Sequence, residues 1–401
     1  EQNILDVLLN VAKGEAVGNN VTGATAVGGH ASAIGTGAVA LGYRTQGNAV
    51  YATAIGSDSS VTGQYSVGLG WKANVSADNS IAVGEQSKAV KEGSTVMGPA
   101  ARGYGNGSLS IGYQALAGAN VYTGAANDPS PYNDTPATIN NYAEWGDTAI
   151  GLRAVATGGN ATALGRSARA AAANAIAIGG GNGSDANNNT EKTEATGEKS
   201  TAIGYNAKAK NTNDIAIGMT ANASDGNAIA IGRNVTSAGG ASTSIGYYSS
   251  VTGNQSIGIG STVTNSAQKA TAIGYKVTVS GSGAIGIGSG TDGGSNVIAS
   301  GSDAIAMGTS TLADSEKAVA IGANSKAKNI GATAVGRDTE ASGASATAVG
   351  ALSIANATSA AALGMQAKAT QESAIAIGNT ANAAALNSTV IGKGANVAAP
   401  V

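Results

Sequence analysis

The chain of 401 residues has no cysteine, no phenylalanine, a single histidine and only five prolines. Without cysteine there is no disulfide, no thiolate nucleophile and no cysteine-based metal site. Aromatic residues amount to 3%, so the Phe-, Leu- and Trp-rich core usual in a compact globule of this length is not available. Charge is also sparse, at 11% with a formal net charge of −2. That balance excludes a charge-driven disordered tail and gives no footing for nucleic acid or an anionic membrane as main partner. No apolar run approaches the length of a transmembrane helix. The start, Glu1-Gln2-Asn3, lacks a basic leader, so a signal peptide is expected to have been removed or never included. The 61 glycines follow no Gly-X-Y period, which rules out a collagen helix.

What the chain does have is a repeat. A tetrapeptide ending in glycine recurs at Gly28 and every 14 residues to Gly112, at 151, 165 and 179, and every 14 residues over 204–288 and 308–392. Counting positions from this glycine, −1 is Ile, Leu, Val or Met in all 24 copies, and −3 is β-branched in 22. Position −2 is Ala in 17 copies, and −4 is Ala or Ser except at Asp147 and Asp214. Large and small residues thus alternate with a period of two, which is strand geometry. A second strand fits downstream, where small residues flank a cation, as in Ser87-Lys88-Ala89, Ala207-Lys208-Ala209 and Ala367-Lys368-Ala369. Small points in and the cation points out. Asn79, Gly93, Gly107, Asn174 and Asn227 mark corners between the strands. Each unit reads as one coil of two short strands and two turns, stacked in parallel on the next. The three irregular intervals predict insertions near 113–147, 180–197 and 289–302 within a solenoid spanning 21–398. Residues 1–20, with the apolar stripe Ile4-Leu5-Asp6-Val7-Leu8-Leu9, read as a short helical cap on the first coil, and 399–401 as its trailing end.

The strand that ends in glycine is apolar on both faces, and such a strand must be covered on both. The expectation drawn from this is that the Ile/Val/Thr column fills the lumen against the small residues of the second strand. The Ala/Gly face would then meet other copies of the chain.

Runs such as Asn79-Ser80-Ile81-Ala82-Val83-Gly84 and Asn227-Ala228-Ile229-Ala230-Ile231-Gly232 resemble the repeat of YadA-type heads in trimeric autotransporter adhesins, over about residues 24–398. The resemblance implies an all-β, left-handed parallel β-roll of 14-residue coils assembled as a homotrimer. It further implies a place on the surface of a Gram-negative bacterium. Adhesion would be to host extracellular-matrix proteins or a cell-surface receptor, or to like adhesins on other bacteria. No neck or heptad stalk follows Val397 and no membrane-barrel strands close the chain. The expectation is therefore an isolated head, anchored in the outer membrane through parts absent here and making no membrane contact itself. The runner-up reading is a non-adhesive structural or ice-binding solenoid.

Catalysis, metals and cofactors have no foothold. His30 stands alone beside Gly28-Gly29 and reads as a surface turn residue. The glycines at 179–183 lack the Lys-Ser/Thr of a phosphate loop. No enzyme, no metal site and no cofactor are expected. The scarce aromatics carry more meaning. Tyr43, Trp71, Tyr113, Tyr205, Tyr247 and Tyr275 each follow a repeat glycine, and read either as packing over the edge of a neighbouring coil or as anchors for a protein partner. Tyr122, Tyr132, Tyr142 and Trp145 gather with three prolines in the longest insertion. They are the candidate binding residues, with a clamp over the neighbouring chain or coil as the alternative.

Overall fold

A computed structural model describes residues 21–118, 146–181, 191–292 and 295–398. The described residues form strands, bends and turns without a helix. The chain divides into two compact units, residues 1–213 and 214–401, and the same coil builds each of them. The expected cap at 1–20 lies outside the described residues.

The coil that begins at Asp214 shows the plan. Ile215–Ile217 form the first strand and Asn222–Ala223 the second. Each residue pairs in parallel with its counterpart 14 residues on: Ile215 with Ile229, Ala216 with Ala230, Asn222 with Thr236. Equal coil lengths therefore stack like on like, and the β-branched column sits where a pleated ladder favours it. Two tight corners close the coil. Residues in the left-handed region turn them, here Thr220 (φ 55°) at one and Gly226 (φ 64°) with Asn227 (φ 57°) at the other. The same geometry recurs at Asn79, Gly93, Gly107 and Asn174, as the sequence predicts. The repeat glycine is dictated by contact as well as by conformation. Gly218 has φ +129°, and a Cβ there would stand 2.3 Å from the carbonyl oxygen of Gly232. No other residue fits.

The faces of the first strand are the reverse of the expectation above. Positions −4 and −2 point inward: Ala216, Ala228 and Ala230 are fully buried. Positions +3 and +5 meet them from the second strand, as Ala221 and Ala223 do. Ile215, Ile217, Ile229 and Ile231 face outward and are only half-buried. The physical reason is volume. The two inner faces approach so closely that three of the lumen valines stand opposite glycine. A Cβ on Gly258 would lie 2.4 Å from a Val251 methyl, one on Gly286 2.7 Å from Val279, and one on Gly68 2.7 Å from Val61. An isoleucine pair at this spacing is impossible, so the aliphatic column is exported. The second strand agrees with the sequence reading: Ala89 is buried while Lys88 beside it is half-exposed.

Most polar groups in the lumen bond to backbone or to each other, as buried groups usually do, while the hydroxyls of Ser59, Ser108 and Ser110 find no partner. Ser237 and Ser242 share a 2.6 Å hydrogen bond, and Asn265 donates to the carbonyls of Ile257 and Ala270 at 2.9 and 3.0 Å. The two aspartates that break the −4 column serve the corner one coil on. Asp147 accepts the Ala161 N–H at 2.7 Å and Asp214 the Ala228 N–H at 3.0 Å, as the Ser66 and Ser256 hydroxyls do for Ser80 and Ala270.

The ladder continues across each irregular interval. Leu109–Ile111 pair directly with Thr148–Ile150, Ile176–Ile178 with Thr201–Ile203, and Ile285–Ser289 with Ile305–Thr309.

Two outcomes test this packing. Gly258→Ala should destabilise the second unit by about 1–3 kcal/mol through overpacking, and Val251→Ala in the same chain should restore most of that loss. Urea unfolding of the four-member cycle checks it, and simple additivity would contradict the facing contact. Adjacent residues should also differ sharply. Ala230→Glu places a carboxylate in the lumen and should open the surrounding coils to hydrogen exchange, whereas Ile231→Asp should leave them protected.

Candidate functional site

The coil leaves three kinds of surface: the outward face of the first strand, the outward face of the second, and the two corners. The first is uncharged. Positions −3 and −1 carry only Ile, Val, Leu, Met, Thr and one Ala in every copy. Ile55, Met97, Leu164, Ile259 and Ile321 are among its exposed members. The second face is polar and charged, with ion pairs such as Lys328–Glu340 at 2.8 Å and Arg169–Glu194 at 3.8 Å between neighbouring coils.

The corner after the repeat glycine collects the aromatics. Tyr43, Trp71, Tyr113, Tyr205 and Tyr247 are each 40–49% exposed there. Tyr43 packs over Gly29 one coil earlier, its ring Cδ2 3.4 Å from where a Cβ would stand. That agrees with packing across coil edges, although the rings stay open to solvent. Cations brace them: Lys72 lies 4.4 Å from the Trp71 ring, Lys276 5.0 Å from Tyr275, Arg44 5.1 Å from Tyr43 and Arg233 5.8 Å from Tyr247. His30 is an exposed turn residue at φ 59°, set edge-on to Tyr43 at 5.8 Å. Among the described residues no three His, Cys, Asp or Glu side chains converge to hold a metal ion.

Two corner tyrosines tie down the flanks of insertions. The Tyr205 hydroxyl donates to the Glu191 carboxylate, and this bond, with some desolvation, raises the Tyr205 pKa. The Tyr275 hydroxyl donates to Asp292, which also takes Lys276 Nζ at 3.0 Å. The tyrosine bond first and the ammonium second hold the Asp292 carboxyl below the usual carboxylate range.

The opposite corner holds a pair the sequence reading passed over. Tyr51 and Tyr65 stack at 5.5 Å with rings 24° apart, and at 54% and 60% they are the most exposed tyrosines described. Their 14-residue separation was the available signal. The proposed binding set, Tyr122, Tyr132, Tyr142 and Trp145, lies outside the described residues. The segment that carries it leaves the roll after Gly118 and rejoins it at Gly146, on the corner where Tyr51 and Tyr65 stand.

Coils stacked in parallel about a lumen of mostly small side chains, with the Ile and Leu of the first strand outside, define a parallel β-solenoid. The YadA head domain repeat matches residues 22–45, 48–101, 146–182, 195–234, 299–353 and 355–395, and the chain belongs to the YadA head family. No curated protein matches the chain. The family is one of bacterial cell-surface adhesins, binding proteins rather than catalysts. The unmatched stretch 235–298 keeps the glycine register and contains most of the valines of the second unit's lumen.

Titration of Asp292 tests the corner tether. The carboxyl should titrate below the ordinary carboxylate range, so the contact persists at neutral pH and is lost only as pH falls through that lowered value. In Tyr275→Phe the midpoint should rise. Carboxyl chemical shifts across an acid titration read both, and an unmoved midpoint would refute the tether.

Proposed function

We propose that the chain is the head of a trimeric surface adhesin of a Gram-negative bacterium, held at the outer membrane by parts outside this segment. It attaches the cell to host matrix proteins or a host receptor, or to like heads on neighbouring bacteria. The observation that carries the reading is the uncharged −3/−1 face. With strands about 4.8 Å apart, that strip covers several hundred Å² in either unit, as large as the patches by which soluble proteins meet partners. Each half-exposed isoleucine covered contributes about 1 kcal/mol. A dozen of them offset the roughly 4–15 kcal/mol that association costs. Family membership supports three copies about one axis.

With that face turned to the axis, the charged second sheet and the insertions remain for recognition. The stacked coils offer little to distinguish one level from the next, so specificity belongs where the pattern breaks. Tyr122, Tyr132, Tyr142 and Trp145 supply amphipathic contact, and the prolines among them lower the entropy lost on binding. Three copies multiply weak contacts into firm attachment.

Two measurements test this. Ile217→Asp with Ile231→Asp should give a folded chain that sediments as a monomer at micromolar concentration. A trimer from that variant would show that the axis lies elsewhere. Replacing 119–144 by a short Gly-Ser link should abolish adhesion to matrix proteins and cells while sedimentation still shows a trimer. Undiminished adhesion would move recognition to the roll surface.

A further inference from the structure

We propose that the aromatic column after the repeat glycine is an interchain contact, in which the Tyr and Trp corner of one copy packs against the opposite corner of the next copy. The inference rests on the trimer reading above and says which residues seal its seams.

Position comes first. In the second unit the first strand runs through the glycine, as Thr243–Tyr247 and Thr271–Tyr275. The ladder pairs Tyr247 with Arg233 and Ser261, and Tyr275 with Ser261 and Ser289. The intervening glycine, at φ +135° in Gly246 and +134° in Gly274, turns the chain there, so the ladder carries this residue to the corner that borders the −3/−1 face. The aromatic column is therefore a third rank at the edge of the uncharged face, continuous with Ile245 and Ile273.

Shape comes second. From 247 to 289 the column alternates large and small as Tyr247, Ser261, Tyr275 and Ser289, with Arg233 one coil before. Gly29, Tyr43, Ser57 and Trp71 do the same in the first unit. Rings then stand about 9.6 Å apart along the ladder, two coils of about 4.8 Å, with a gap between them that admits a partner's side chain.

Symmetry supplies the partner. A ring of identical copies joins unlike edges, so one edge of the face must meet the other edge of the next copy. Beside Tyr247 that other edge is the left-handed corner at Ala241 and, one coil on, Gln255, both exposed. Each cation braced on a ring keeps its charge at the rim of the seam, where solvent reaches it.

The natural chain has no cysteine, which makes the test direct. Tyr247→Cys with Ala241→Cys, and Tyr247→Cys with Gln255→Cys, cover the two registers. Within one chain these positions lie at opposite corners, six or more residues of chain apart, beyond the reach of a disulfide. Mild oxidation should give a covalent trimer on a non-reducing gel from at least one pair and from neither single-cysteine set. A trimer by sedimentation with no covalent trimer from either pair overturns the inference and leaves the trimer reading standing. A wild-type chain that sediments as a monomer overturns the trimer reading and the inference together. If the cysteine variants do not assemble, Trp71 decides in the trimer of Trp145→Phe. Iodide quenching several-fold weaker than for free tryptophan amide supports the seam, and equal quenching overturns it.

Discussion

The space inside each coil is the constraint from which the other features follow. Four inward positions face one another across a lumen so shallow that Val251 requires Gly258 and Val279 requires Gly286. Close approach of two backbones gives a dense, dry interior from side chains that individually bury little. The repeat glycine answers a second close approach, along the stack, where Gly218 and its equivalents stand against the carbonyl of their counterpart in the next coil. Several buried polar residues are met from within the roll, as Asp147 accepts a corner N–H one coil on, Ser237 bonds Ser242 across the lumen and Asn265 donates to the Ile257 carbonyl.

The same shortage of room explains the surface. Aliphatic residues too large for the lumen are displaced to the outer face of the first strand, where they form uncharged columns that no part of the described chain covers. The second strand carries lysine, glutamate or asparagine at many of its outward positions, with Leu116, Val155, Ile298, Leu312 and Ile354 among them. The first sheet is therefore the one made for contact with its own kind. The ladders on either side of each insertion pair as though it were absent.

Period, strand pairing, corner residues and family were legible in the sequence because a 14-residue register repeats every local cue, and agreement over many copies outweighs ambiguity in any one of them. Which face looks inward was not legible. Alternation separates the Ile/Val/Thr face from the Ala/Ser face but is silent on which encloses the lumen. The usual association of large residues with the core pointed to the wrong one. The covariation of Val251 with Gly258 was present in the sequence, yet it means something only once the two residues are known to oppose each other. The Tyr51–Tyr65 stack was missed for a similar reason: a 14-residue spacing becomes a ring contact only when the corner conformation sets both side chains on one edge.

By itself the sequence determined a stack of two-stranded parallel coils, its glycine ladder and its family, because these depend on local conformation and on the spacing of like residues. The tertiary structure alone decided the inside and the outside. The distance between the two sheets is set by contacts across the lumen, between residues five to ten apart in the chain, and that distance admits alanine and excludes isoleucine.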